Sequence, residues 1–157
     1  MGREAAGVRG IRLGAGQEVI ALIVVGEGEV LTASAAGYGK RTPLADFPAH
    51  GRGGQGVIAL QTGGRNGDTV AALQVAPGQE IMLISSTGTL VRTTVDEISV
   101  QGRNTQGVRL IRLGEGERLV GTERIESLDA GADEAGAGAD EAEALEGAGP
   151  AEDEPQP

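Results

Sequence analysis

The chain has 157 residues, enough for one domain with a modest core, and contains no Cys, no Trp, one Tyr and one Phe. Disulfides and thiolate metal sites are therefore excluded, and no apolar run reaches the ~20 residues needed to cross a bilayer. The net charge of −10 is unevenly placed: 127–157 holds ten of the 23 acidic residues and none of the 13 basic ones, which leaves 1–126 balanced.

The first stretch, "MGREAAGVRG", lacks the apolar core of a secretory signal, so a cytoplasmic protein is expected. Within it lies "GREAAGVRGIRL" (2–13), which returns as "GRGGQGVIALQT" (51–62) and as "GRNTQGVRLIRL" (102–113). After the first copy comes "VIALIVV" (19–25), a nearly continuous apolar run of the kind expected of a strand covered on both faces. Then "EVLTASAAGYGKRTPLADFP" (29–48) matches "EIMLISSTGTLVRTTVDEIS" (80–99) at an offset of 51, the same offset that relates Gly51 to Gly102. A third echo, "GERLVGTERI", follows the last copy and stops.

The chain thus reads as two full units and the first half of a third, about 2–50, 51–101 and 102–126, followed by an acidic tail, 127–157. Each full unit reads as four short strands, in the second about 57–62, 69–76, 80–85 and 89–94, separated by "GGRNG", "PG" and "STG". No part of 1–126 shows a convincing helical apolar period. The expected fold class is all-β: a repeat of four-stranded blades, a partial β-pinwheel or propeller-like array. The tail, rich in Ala, Gly, Glu, Asp and Pro, is expected to be disordered, because it buries too little apolar surface to offset ordering entropy.

The three copies, with "AGYGKR" (36–41) and "GTLVRT" (88–93), resemble the C-terminal domain of the A subunit of bacterial DNA gyrase over about 1–126, and the acidic tail lies in that family's usual place. The resemblance implies a six-bladed β-pinwheel that wraps DNA, of which this chain would supply the last two and a half blades or so. Met1-Gly2-Arg3 is similar to an internal stretch of the family, so the chain reads as a C-terminal fragment. The implied partners are double-stranded DNA, the remainder of gyrase A, and gyrase B in an A2B2 assembly, with no membrane. The fragment itself is expected to need no cofactor. Mg2+ and ATP, the latter on gyrase B, belong to the parent, and so does the tyrosine that breaks DNA. Two alternatives are the C-terminal domain of the A subunit of topoisomerase IV, which the long acidic tail disfavours, and a protein-binding propeller scaffold.

The candidate phosphate-binding residues follow from the repeated Gly-Arg-x-x-x-Gly. Its first arginine recurs as Arg3, Arg52 and Arg103, and guanidinium binds phosphate oxygens bidentately. Glycines allow positive φ and close backbone approach to a phosphate. The second copy adds Gly53, Gly54 and Gly56, which with Arg52 match the Arg-Gly-Gly-x-Gly part of the family's gyrase A box. His50 and Gly51 stand where that box has Gln and Arg. A plain turn, with each Arg paired to a neighbouring blade, is the competing reading. Lys40, Arg41 and Arg92 follow hairpin turns, where rim contact and a solvated turn stay open. Arg9, Arg12, Arg109 and Arg112 carry less weight, since the second copy has Ile58 and Gln61 at those places. Tyr38 sits between glycines in a turn and reads as packing, not as a nucleophile. His50, Asp68, Asp96 and Glu97 form no catalytic constellation.

Overall fold

The computed structural model describes residues 2–125. The tail expected at 127–157 lies outside the described residues. Seven strands occur among the described residues: β1 (Glu29–Ser34), β2 (Tyr38–Pro43), β3 (Thr69–Val75), β4 (Glu80–Ser85), β5 (Leu90–Thr94), β6 (Val108–Arg109) and β7 (Leu119–Ile125). Single-turn 3-10 helices, Leu44–Asp46 and Val95–Glu97, follow β2 and β5, and there is no α-helix among the described residues. The fold is all-β, as the turn-rich sequence predicts.

Two hairpins form the frame. In each, a tight turn ends in a glycine with positive φ, Gly37 (80°) and Gly88 (87°). The Gly37 amide bonds the Ser34 carbonyl at 2.9 Å, and Gly88 bonds Ser85 at 3.1 Å. An L side chain rarely adopts this conformation, so glycine specifies the turn. Glu29 then faces Pro43 across the first hairpin, and Glu80 faces Thr94 across the second. β4 alternates half-buried and buried residues, the pattern of a strand with one face on the core.

Each hairpin takes its third strand from the following repeat. β3 lies antiparallel to β1 with Glu29 opposite Val75, and β7 lies antiparallel to β4 with Glu80 opposite Ile125. Both pairings slip at the same place, between Ala33 and Ser34 and between Ile84 and Ser85. One sheet therefore runs β3-β1-β2-β6 and the other β5-β4-β7, both antiparallel. A single core includes Leu31, Val75, Ile81, Leu83, Val95, Ile111 and Leu119. No aromatic ring enters it, so small aliphatic groups fill the space.

Two expected strands are absent. The 57–62 run is not a strand; it lies along the third motif copy, where the Gln61 amide bonds the Thr105 carbonyl at 2.9 Å. The 19–25 run is not a strand and not covered: Leu22 is 92% and Val24 90% exposed. The reason is topological. β3 already occupies the outer edge of β1, so the hairpin that follows 19–25 in sequence offers it no edge.

Candidate nucleic-acid interface

The third Gly-Arg loop, 102–107, lies over β2. Close backbone approach makes this possible. Gly107 has φ of 74° and sits against the Gly39 carbonyl, where a Cβ would overlap. A Cβ on Gly39 would in turn meet the Leu110 side chain and the Thr32 carbonyl. Beyond the loop, the chain adds β6 to the β2 edge with Val108 opposite Gly39.

Lys40 sits fully buried beneath this loop. Its ammonium donates to the carbonyls of Gly102 (2.5 Å), Arg103 and Thr105 (3.2 Å) and to Thr105 Oγ1 (2.9 Å). Burial pulls its pKa down to about 8, with Arg103 adding repulsion. Arg41 is also buried. It pairs with Glu29 at 2.8 Å and donates through Nε to the Ile98 carbonyl at 2.7 Å. Thr42 Oγ1 donates to the Gln101 carbonyl at 2.9 Å. Lys40 and Arg41, expected among the phosphate-facing cations, therefore face inward and stitch 98–105 to the hairpin. The sequence hid this because the covering segment lies 62 residues away. Arg92, at the equivalent position to Arg41, stays exposed and pairs with Glu80, Nε to Oε2 at 2.8 Å.

The three loops form a row. The Arg12 amide donates to the Gly54 carbonyl at 2.8 Å, and the Gln61 amide donates to Thr105 at 2.9 Å. These are the same bond one repeat apart: the second half of one copy fastens to the loop of the next. The Gly53 amide adds a bond to the Gly10 carbonyl at 2.8 Å. Between the second and third copies, buried Asn66 donates to the carbonyls of Gln61 and Gln106, both at 2.8 Å. The glycine that closes each Gly-Arg-x-x-x-Gly takes the same conformation, with φ of 79° at Gly7, 75° at Gly56 and 74° at Gly107.

Along this row Arg3 and Arg52 are exposed, and Arg103 is half-buried. Arg103 spends one donor on the Ile58 carbonyl at 2.9 Å. Among the described residues, Arg41 pairs with Glu29 and Arg92 with Glu80, whereas Arg3, Arg52 and Arg103 have no carboxylate within ion-pair distance. Gly53 and Gly56 have positive φ, and with Gly54 and Arg52 they line an open cleft of about 540 Å³ beside His50. Cations on a glycine-lined rim form a surface that attracts polyanions.

Residues 1–26, 28–77 and 79–126 match the family model described as DNA gyrase C-terminal domain, beta-propeller. The chain belongs to this family. The A subunit of DNA gyrase from Pseudomonas aeruginosa is 60% identical over 135 residues, covering 85% of this chain and 15% of the relative. The corresponding gyrase protein of Escherichia coli is 53% identical over 126 residues, covering 80% of this chain and 14% of the relative. The chain thus spans a small part of the length of the curated gyrase proteins it matches. Among solved structures, a DNA gyrase A C-terminal domain superposes with a TM-score of 0.60 at 27% identity, covering 62% of this chain and 33% of that one. The C-terminal domain of DNA topoisomerase IV superposes with a TM-score of 0.69 at 20% identity, over 76% of this chain and 38% of that one, a likeness of fold alone. Among the described residues no helix is long and apolar enough to cross a membrane.

Proposed function

We propose that this chain is a DNA-binding and wrapping module of DNA gyrase A. The observation that carries this reading is the row of Gly-Arg loops, joined by one repeated amide–carbonyl bond, with Arg3, Arg52 and Arg103 at equivalent places. Duplex DNA following such a rim must bend, which costs about 1–6 kcal/mol for tens of degrees over a short site. Phosphate contacts with counterion release offset that cost and carry little base information. In this reading the parent is a cytoplasmic A2B2 topoisomerase that introduces negative supercoils, with ATP hydrolysed on gyrase B and Mg2+ serving cleavage in gyrase A. This chain contributes grip, not chemistry. Supporting that, its one tyrosine is engaged by arginines in a hairpin.

The test is a mobility shift with mixed-sequence duplexes across a salt series. Arg52→Ala with Arg103→Ala should weaken binding to every duplex alike. The log–log salt slope should fall by roughly one unit per lost contact. Unchanged affinity at low salt in a folded variant would remove the loops from the interface. A wild-type chain that binds no duplex would leave the protein-binding scaffold.

A further inference from the structure

Tyr38 stands where three parts of the repeat array meet. It opens β2 and lies opposite Arg109 of β6. Arg109 Nη2 donates to the phenol oxygen at 3.0 Å. The Arg65 guanidinium carbon lies 4.7 Å from the ring centroid, and that of Arg109 lies at 5.6 Å. Arg112 joins them in lining an open cleft of about 670 Å³. Tyr38 comes from the first hairpin, Arg65 from the turn before β3, and Arg109 and Arg112 from the third motif copy. Arg65, Arg109 and Arg112 are exposed, and none of them forms an ion pair among the described residues.

Two guanidiniums lie against one phenol and a third, Arg112, lines the same cleft; like charges gathered this way repel, and a ring face compensates them weakly at an exposed site. An anionic phosphate would compensate them more strongly than the ring does. Guanidinium forks match phosphate oxygens. The phenol oxygen already accepts from Arg109, so its own proton is free to donate outward. The Arg109 hydrogen bond and the nearby charges of Arg109 and Arg65 also lower the phenol pKa, which strengthens that donor. Guanidiniums engage the ring, so its face is not offered for stacking a base, as a single strand or a free nucleotide would require. The cleft is open and includes Gly107, the last residue of the third loop. A backbone tracking the row of loops therefore reaches it next.

We propose that Arg65, Tyr38, Arg109 and Arg112 form a phosphodiester seat for duplex DNA that continues the track beyond the third Gly-Arg loop. The proposal rests on the DNA-binding reading above. Because the chain has a single tyrosine, ring-selective 13C labelling gives one tyrosine spin system, a site-specific reporter. Titration of the full chain with a mixed-sequence duplex at low salt should move that signal with the midpoint seen in the mobility shift. Arg65→Ala with Arg112→Ala, both outside the strands, should lose roughly tenfold in affinity at low salt, with a salt slope shallower by about two units. Tyr38→Phe, which keeps the ring, should lose affinity by a smaller factor while its melt matches wild type. If duplex binds but the tyrosine signal stays put and the double variant binds as wild type, the seat is overturned and the loops stand. If inorganic phosphate moves the signal and duplex does not, the cleft takes a small phosphate ligand and the DNA assignment is overturned. If the wild type binds no duplex at all, the broader function fails, and the seat with it.

Discussion

The ammonium of Lys40 donates to the Gly102 carbonyl at 2.5 Å, from the buried face of a hairpin into the loop that covers it. Four acceptors converge on this nitrogen, so one side chain sets the shape of the third Gly-Arg loop. Lys40→Met keeps the volume and removes the donors. A buried group left unpaired costs about 1–3 kcal/mol, so the variant should be destabilised by at least about 2 kcal/mol in urea unfolding. The pH dependence has a defined sign. The folded state holds this amine near 8, below its ordinary 10.5. Between those values the unfolded chain binds more protons, and stability rises with pH. The contribution is complete above 10.5 and is lost as pH falls through 8. Wild type should therefore gain on Lys40→Met as pH climbs through this window. A flat difference would mean the amine titrates normally.

Gly56 and Gly107 offer a controlled comparison. Both have positive φ, 75° and 74°, so Ala at either incurs the left-handed penalty of about 1–2 kcal/mol. A Cβ at Gly56 meets nothing within 4 Å, whereas at Gly107 it overlaps the Gly39 backbone. Gly107→Ala should therefore cost more than Gly56→Ala by about 1–3 kcal/mol, the usual scale of overpacking. Equal losses in thermal melts would contradict the close loop-on-hairpin approach.

The 19–25 run presents Val19, Leu22, Val24 and Val25 at 64%, 92%, 90% and 65% exposure. A contiguous apolar edge of this kind drives association. Sedimentation of the chain should show concentration-dependent self-association. Leu22→Asp with Val24→Asp should suppress it with stability changed by no more than about 0.5 kcal/mol, as at other exposed positions. A wild-type chain that stays monomeric at high concentration would oppose this.

The acidic 127–157 segment carries ten carboxylates and no cation. A polyanion joined covalently to an arginine-bearing chain acts at high effective concentration, so the segment is expected to compete with DNA. Deleting 127–157 should tighten duplex binding at low salt. The gain should fade as the Debye length drops from about 10 Å at 0.1 M to about 3 Å at 1 M. Identical affinities with and without the segment at low ionic strength would leave it a solubilising role only.

Sequence alone determined the repeat and its turns. The offset of 51 between the two hairpins is written in matched Glu, Gly and Arg positions. Gly37 and Gly88 mark the turns because only glycine is at ease with their positive φ. The recurrence of Arg3, Arg52 and Arg103 was legible for the same reason, a repeated residue at a repeated place. Strand partnership was not legible. β3 precedes β4 in sequence but pairs with β1 of the earlier hairpin, and nothing in local alternation encodes which edge a strand will join. That choice left 19–25 exposed although its composition suits a covered strand. Burial of the cations was likewise decided in three dimensions. Lys40 and Arg41 look like solvated turn residues until a distant loop closes over them. Tyr38, Arg65 and Arg109 share no motif; Tyr38 and Arg109 meet because β6 adds to the β2 edge with Arg109 opposite Tyr38. Local pattern specifies turns and faces through backbone sterics and hydrophobic period, while edges and neighbours depend on which distant segments bury each other.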